Sequence, residues 1–204
     1  MSTTCPEAQC DETSILIIGG GPTGALLSAL LGRMNIPNIV LEKTPEITTD
    51  PRGIALDEDG IRLLQSIGLY DRIFARIGAC RNMHFISGSS RDLAREPFLI
   101  NRLSTCEGGT GHVGFVFHKQ PEMEKGIRDV IAQYECCDFR TEAELLGIEE
   151  DGEGVEVEYA DAKAGGRRRK KVRAKFLVGA DGKTGFVRKR YLEPKGVVLE
   201  NCEG

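Results

Sequence analysis

The turn Gly19-x-Gly21-x-x-Gly24 constrains this chain more than any other feature. It follows Ser14-Ile15-Leu16-Ile17-Ile18, an apolar run of the kind that forms a buried parallel strand. It precedes Ala25 to Leu31, a run of helix formers apolar on most faces. The first glycine of such a turn permits the tight bend, and the second lets the backbone approach a pyrophosphate. The third lets the helix pack closely on the strand. The N–H groups that open the helix then face the phosphate charge. Asn38 to Lys43 reads as the next strand, and Glu42 near its exit is placed to accept a bond from a ribose hydroxyl. This is a β-α-β unit, with Gly32 and Asn35 as candidate stops of its helix. A glycine turn in an unrelated α/β domain is the plainer alternative; the flanking strand, helix and acidic residue count against it.

Composition bounds the rest. A chain of 204 residues is long enough for one domain and short for two. Its 25 glycines show no collagen-like period, so they mark turns and close backbone approaches. The net charge of −4 makes no whole-chain case for a nucleic-acid partner. No apolar run approaches the ~18 residues of a membrane helix, so no span is expected. The 7 cysteines contain no C-x-x-C, which argues against a complete disulfide framework and against zinc. Residues 1–13 are polar, lack the layout of a secretory signal, and are expected to form a disordered tail. A reduced, cytoplasmic protein is the expectation.

Farther along, Asp57-Glu58-Asp59 opens a helix carrying Ile61, Leu63, Leu64 and Ile67, with Gly68 at its C′ position. A short helix follows from Asp71. Residues 81–116 are broken by Ser, Gly and Asn, and read as antiparallel strands outside the parallel sheet. Gln120-Pro121-Glu122 starts a helix with Met123, Ile127, Val130 and Ile131 on one face. Val155, Val157 and Tyr159 alternate with Glu156 and Glu158, as in a strand with one wet face. The basic stretch Gly165 to Lys171 turns the chain back into Val172 to Ala180, giving a β-hairpin near residues 154–172. Val178-Gly179-Ala180-Asp181-Gly182 is a strand ending in an Asp-Gly turn, a common arrangement in itself.

Three stretches together carry a resemblance: Ile17 to Gly24, Pro51-Arg52-Gly53-Ile54-Ala55-Leu56-Asp57-Glu58-Asp59, and Leu177 to Gly182. In this order they resemble the FAD-binding part of the FAD-dependent aromatic hydroxylases, the p-hydroxybenzoate hydroxylase class of flavin monooxygenases. The texture is most similar to the 3-(3-hydroxyphenyl)propionate hydroxylase branch and related fungal monooxygenases. The resemblance implies an α/β fold: a Rossmann-like dinucleotide-binding domain with a parallel sheet, a β-hairpin insertion and part of a substrate-domain sheet. It places the FAD-binding domain at residues 14–196, with partial substrate-region strands at 82–118 and a truncated end at 197–204.

By the same resemblance, Gly19, Gly20, Gly21, Pro22, Thr23 and Gly24 hold the FAD pyrophosphate, with Glu42 and Lys43 at the adenosine ribose. Arg52 resembles the family arginine that reaches the pyrophosphate region, and Gln120 the glutamine beside the flavin chain. Asp181 and Gly182 resemble the Asp-Gly motif associated with FAD and with NAD(P)H, the transient reductant. The implied reaction is hydroxylation of a phenolic or polyketide-like aromatic substrate with O2, in secondary metabolism. No catalytic residue, triad or metal site is implied, since the cofactor carries the chemistry. Another FAD-linked oxidoreductase or dehydrogenase is one alternative, and a non-catalytic remnant is the other. Family members run to roughly twice this length or more. The expectation is therefore a truncated or fragmentary member, whose incomplete sheet leaves an apolar face open to homodimerisation or other association.

Other features have plainer readings. Arg167-Arg168-Arg169-Lys170-Lys171 resembles a nuclear-localisation or nucleic-acid patch and is expected to be a solvated hairpin tip. Vicinal Cys136-Cys137 forms a redox pair only if a base lowers a thiol pKa, and none is adjacent; buried, idle thiols are expected. His84, His112 and His118 lack ligand spacing, and His118 stands near cofactor only through its neighbour Gln120.

Overall fold

The computed structural model describes residues 10–49, 55–74, 78–79, 82–86, 96–102, 111–163, 166 and 168–197. The chain divides into two units, residues 1–47 with 127–204, and residues 48–126.

The first unit is built on β1 (Cys10–Ile18), α1 (Pro22–Arg33) and β2 (Asn38–Leu41). The isoleucine-rich end of β1 forms the centre, with Leu16 and Ile17 fully buried. β1 begins four residues ahead of the expected start at Ser14, because it follows a long partner, β11 (Arg168–Gly179), from Cys10↔Lys171 to Ile18↔Gly179. Residues 10–13 of the expected tail are thus strand; residues 1–9 lie outside the described residues. With β8 (Cys137–Arg140) the parallel set is β8-β2-β1-β11. The sheet continues antiparallel into β10 (Val155–Asp161) and β9 (Ala143–Glu150).

Side-chain alternation decides what covers each face. Leu16, Ile18, Ile39 and Leu41 join Leu145, Val155, Val157, Tyr159, Val172 and Ala174 in one apolar core. Ile17 and Val40, which point the other way, pack with Leu31 of α1. Arg140 fastens the first layer: its guanidinium meets Asp11 at 2.8 Å, Asp138 at 2.6 Å and the Tyr159 hydroxyl at 2.7 Å.

The hairpin expected near residues 154–172 is present as β10 and β11, but β11 starts at Arg168 rather than Val172. Arg168 to Lys171 therefore lie in the ladder and not at the tip. Carboxylates on both faces of β10 draw them in: Lys171 pairs with Glu156 at 2.6 Å and Arg169 with Glu158 at 3.3 Å on one face, and Lys170 with Asp161 at 2.6 Å on the other. Gly32 is a second correction. It is buried inside α1, where a Cβ would meet Tyr134 and the Cys137 sulfur at 2.6 Å, so it is a packing glycine and not a stop. Asn35, at φ +56°, takes the left-handed turn after the helix, the other stop expected. Cys136 and Cys137 are free and half-buried; burial first, then the neighbouring thiol, pushes Cys137 up, as an idle thiol requires.

The second unit holds β3 (Ala55–Asp57), α2 (Glu58–Ser66), α3 (Tyr70–Phe74), β4 (Gly78–Ala79), β5 (Asn82–Phe85), β6 (Leu99–Arg102) and β7 (Phe115–Phe117). Helix α4 (Gln120–Ile131) begins here and ends in the first unit. The Asp57 carboxylate accepts the Gly60 N–H at 2.9 Å and caps α2, while Gly68 takes φ +73° beyond its end, as the acidic start and glycine stop require. The antiparallel pair β5-β6 and strand β7 bear out the strands expected over residues 81–116 outside the parallel sheet; β3 and β4, which pair with β7, lie before that stretch. The β5-β6 ribbon exposes Met83, Phe85, Phe98, Leu99 and Ile100. Among the described residues no helix is long and apolar enough to cross a membrane.

Candidate functional site

Strands β1, β2 and β11 run parallel and end side by side at Ile18, Leu41 and Gly179. The chain leaves β1 into α1 and β2 on one side, while β11 lies on the other. The site therefore sits at a change of strand order, outside the carboxyl ends of the strands, where open α/β sheets bind ligands. The segments beyond these ends are tied together: the Gly19 N–H donates to Leu41 O at 2.8 Å and the Ala180 N–H to Ile18 O at 2.7 Å.

Each glycine of the turn has its own reason. Gly19 takes φ +102° and lies against the Ala180 carbonyl, where a Cβ would meet the carbonyl carbon at 2.6 Å. Gly24 lies against the Gly19 carbonyl oxygen and leaves no room for a Cβ, which brings the helix close to the strand. Gly20 is wedged between Phe139 and Glu42, where a Cβ would lie 2.9 Å from Glu42 Cβ. Gly21 differs: a Cβ there would have nothing within 4 Å. The turn is open to a ligand on that side.

Pro22 begins α1, and the first intrahelical bond runs from the Ala25 N–H to Gly21 O at 2.9 Å. The N–H groups of Thr23 and Gly24 precede it and have no acceptor within the helix. No side chain caps α1 and no acidic residue stands in its first turn, so the helix supplies no anion of its own to the positive end of its dipole. That is the electrostatic profile of a pyrophosphate cradle.

Glu42 extends β2. Its Oε2 accepts the Gly20 N–H at 2.7 Å, and its Oε1 accepts the Thr44 N–H and hydroxyl, both at 2.8 Å. Burial pushes the carboxyl up, but the bonds from Thr44 and Gly20, with the Arg128 charge, outweigh it and hold Glu42 below its ordinary value. The carboxylate thus braces the glycine turn from behind and is ionised at neutral pH. Lys43 beside it is exposed.

Asp181 and Gly182 form the turn after β11. The Asp181 carboxylate accepts the Val187 N–H at 3.0 Å, at the start of the π-helical turn Val187–Leu192, and packs against Gly185. Gly182 takes φ +84°, the left-handed conformation a β-carbon disfavours. The fold thus brings Gly19 to Gly24, Glu42 and Asp181 together from three strand ends. Gln120 belongs to the second unit, where its amide donates to Glu124 at 2.7 Å; both are buried. His118 is also buried, which pushes its pKa down, and its Nδ1 has no hydrogen-bond partner among the described residues. Arg52 lies outside the described residues. Phe139 and Arg128 are missing from the motif reading: the Arg128 guanidinium lies 4.7 Å over the Phe139 ring, beside Gly20. No local pattern marks them: Phe139 is placed by the pairing of β8 with β2, and Arg128 comes from α4.

A glycine turn from strand to helix, an acidic residue closing the second strand and a parallel sheet with a change of strand order define a dinucleotide-binding domain of the Rossmann type. The chain belongs to the FAD binding domain family, whose model matches residues 12–194. It is 30% identical over 172 residues to a 3-(3-hydroxy-phenyl)propionate/3-hydroxycinnamic acid hydroxylase of Burkholderia cenocepacia, covering 84% of this chain and 30% of that protein. It is 31% identical over 183 residues to the hydroxylase of the same name from Paraburkholderia xenovorans, covering 89% of this chain and 28% of that protein. The chain therefore spans under a third of the length of these relatives.

The fold is that of solved monooxygenases. The p-nitrophenol 4-monooxygenase of Pseudomonas putida superposes with a TM-score of 0.77 at 21% identity, over 88% of this chain and 43% of that one. The flavin-dependent monooxygenase PieE, solved with FAD and substrate, gives 0.75 at 22% identity, over 93% of this chain and 33% of that one.

Proposed function

We propose that this chain is the FAD-binding part of a flavin-dependent aromatic monooxygenase. The observation that carries the reading is the turn itself. Gly21 is open, the first turn of α1 carries neither a capping side chain nor an acidic residue, and Glu42 and Asp181 follow the strands on either side of β1. The Gly21, Thr23 and Gly24 N–H groups receive the pyrophosphate. Glu42, whose oxygens keep acceptor capacity beyond the bonds they hold, receives an adenosine ribose hydroxyl. Asp181 keeps the following turn in place beneath the cofactor. When bound, FAD supplies the redox chemistry by which NAD(P)H and O2 place one oxygen atom on an aromatic ring. The kinship with hydroxylases of 3-hydroxyphenylpropionate supports a phenolic substrate.

Arg52, Lys43 and Gln120 are assigned to the same cofactor by their places in the family motifs. A cytoplasmic setting fits a reaction that draws on NAD(P)H, and the exposed apolar ribbon β5-β6 supports association with a second copy or another chain.

Titration of the purified chain with FAD, followed by quenching of flavin fluorescence, tests cofactor binding; the expected outcome is saturable binding at one site per chain. Turnover under labelled oxygen tests the reaction class in the protein that carries this segment. One labelled atom in the product identifies a monooxygenase, and reduction of flavin without incorporation points to a dehydrogenase.

A further inference from the structure

We propose that Arg128 is a positioning residue for the cofactor turn: stacked on Phe139, it holds that ring against Gly20 and sets its charge beside Glu42, keeping the Glu42 carboxylate aligned on the Gly20 N–H. The consequence for cofactor affinity rests on the FAD reading above; the geometry of the turn does not.

The arrangement has three layers. The Arg128 guanidinium carbon stands 4.7 Å from the Phe139 ring centroid. The edge of that ring reaches Gly20, where a Cβ would run into Cζ and lie 3.2 Å from Cε1. On its other side Gly20 meets Glu42, whose Oε2 accepts its N–H at 2.7 Å. Gly20 is therefore clamped between an aromatic edge and a carboxylate; Arg128 stacks on the first and its charge favours the ionised form of the second.

The Arg128 Nε is buried and has no hydrogen-bond partner among the described residues. An unpaired buried donor costs free energy that an apolar side chain of similar length would not incur. Stacking and charge are what an arginine adds here, since a guanidinium over a ring face is attracted by the ring quadrupole.

Among the described residues, the other charged groups on the elements around Glu42 are as follows. The first turn of α1 carries no acidic residue. Arg140 on β8 is held by Asp11 and Asp138, and Asp181 by the Val187 N–H. On its own segment Glu42 has the Thr44 donors and the exposed Lys43. Arg128, from α4, adds a positive charge that favours the ionised carboxyl, after the bonds from Thr44 and Gly20.

The test is an NMR titration of the ligand-free protein, reading the Glu42 carboxyl carbon and the Gly20 amide proton. Wild type is compared with Arg128→Gln, which keeps a planar group and most of the stem, and with Arg128→Lys. In Arg128→Gln the Glu42 midpoint should rise by about half a pH unit and the Gly20 amide should move toward weaker hydrogen bonding. Arg128→Lys should restore the midpoint. FAD affinity at pH 7.5 should fall about tenfold in Arg128→Gln. Unchanged Glu42 and Gly20 signals in Arg128→Gln overturn the proposal, even if its melting temperature falls, because a purely structural arginine would lower stability alone. Shifted signals in a protein that binds no FAD uphold the brace and reject the cofactor reading. FAD binding with unshifted signals does the reverse.

Discussion

Gly19 and Ala180 meet backbone to backbone, so closely that a Cβ on Gly19 would overlap the Ala180 carbonyl. This contact joins the glycine turn after β1 to the Asp-Gly turn after β11, and it makes one site of two motifs far apart in the chain. Gly19→Ala adds a clash with backbone at φ +102°. It should destabilise the protein by at least about 2 kcal/mol, read as a lower urea midpoint with the slope unchanged. A variant as stable as wild type would mean that the two turns are not held together in solution.

Gly21 offers the converse experiment. A Cβ there meets nothing within 4 Å, and its backbone, at φ −68°, suits any residue. Gly21→Ala should fold with an unchanged melting temperature and lose about tenfold or more in FAD affinity, since the methyl group occupies the approach of the phosphates. Wild-type affinity in this variant would remove the pyrophosphate from the turn.

Glu42 gives stability a pH dependence of definite sign. Its folded pKa lies below the ordinary 4.5 because Thr44 and Gly20 donate to the carboxylate against the opposing effect of burial. Ionisation thus favours the folded state; the contribution is complete above the unfolded value and is lost as pH falls through the lowered folded value. Chemical denaturation between pH 3 and pH 7, on the order of a few points per unit, should show wild type losing more stability on acidification than Glu42→Gln. Parallel curves would contradict the Glu42 assignment.

Arg140 ties β8 to β1 and β10 through Asp11, Asp138 and Tyr159. Its side chain is only 21% exposed, so solvent screens these bonds incompletely. Arg140→Met should cost about 1.5–3 kcal/mol in urea denaturation, the range for hydrogen bonds to charged groups. A change within about 0.5 kcal/mol would place Arg140 among ordinary surface residues.

The basic strand segment should not behave as a nucleic-acid patch. Arg169, Lys170 and Lys171 are paired with Glu158, Asp161 and Glu156. The protein should elute from a heparin column at low salt, and retention beyond about 0.3 M salt would contradict this.

The β-α-β unit, the acidic start of α2, the Gly68 stop and the wet and dry faces of β10 were all legible in the sequence. Each depends on local chemistry: periodicity fixes which face is buried, and glycine or a capping carboxylate fixes where an element starts or ends. The glycine turn belongs with them as a strand-to-helix turn, and Gly24 answers to the Gly19 carbonyl a few residues away; what excludes a Cβ at Gly19 is Ala180, from the far end of the chain. Other assignments needed the fold. Gly32 has the composition of a helix stop, but Tyr134 and Cys137, which pack on it, arrive from another part of the chain. The basic run from Arg168 reads as a loop until β10 with its carboxylates is laid beside it. Phe139 and Arg128 carry no motif: Phe139 reaches Gly20 because β8 pairs with β2, and Arg128 comes from α4 to lie over the Phe139 ring. The amino-acid sequence by itself determined the strand-turn-helix unit and its glycine turn, through the missing side chains of Gly19, Gly21 and Gly24. Tertiary structure alone decided how rigidly that turn is held, since stacking, close packing and charge act across space between residues the chain keeps far apart.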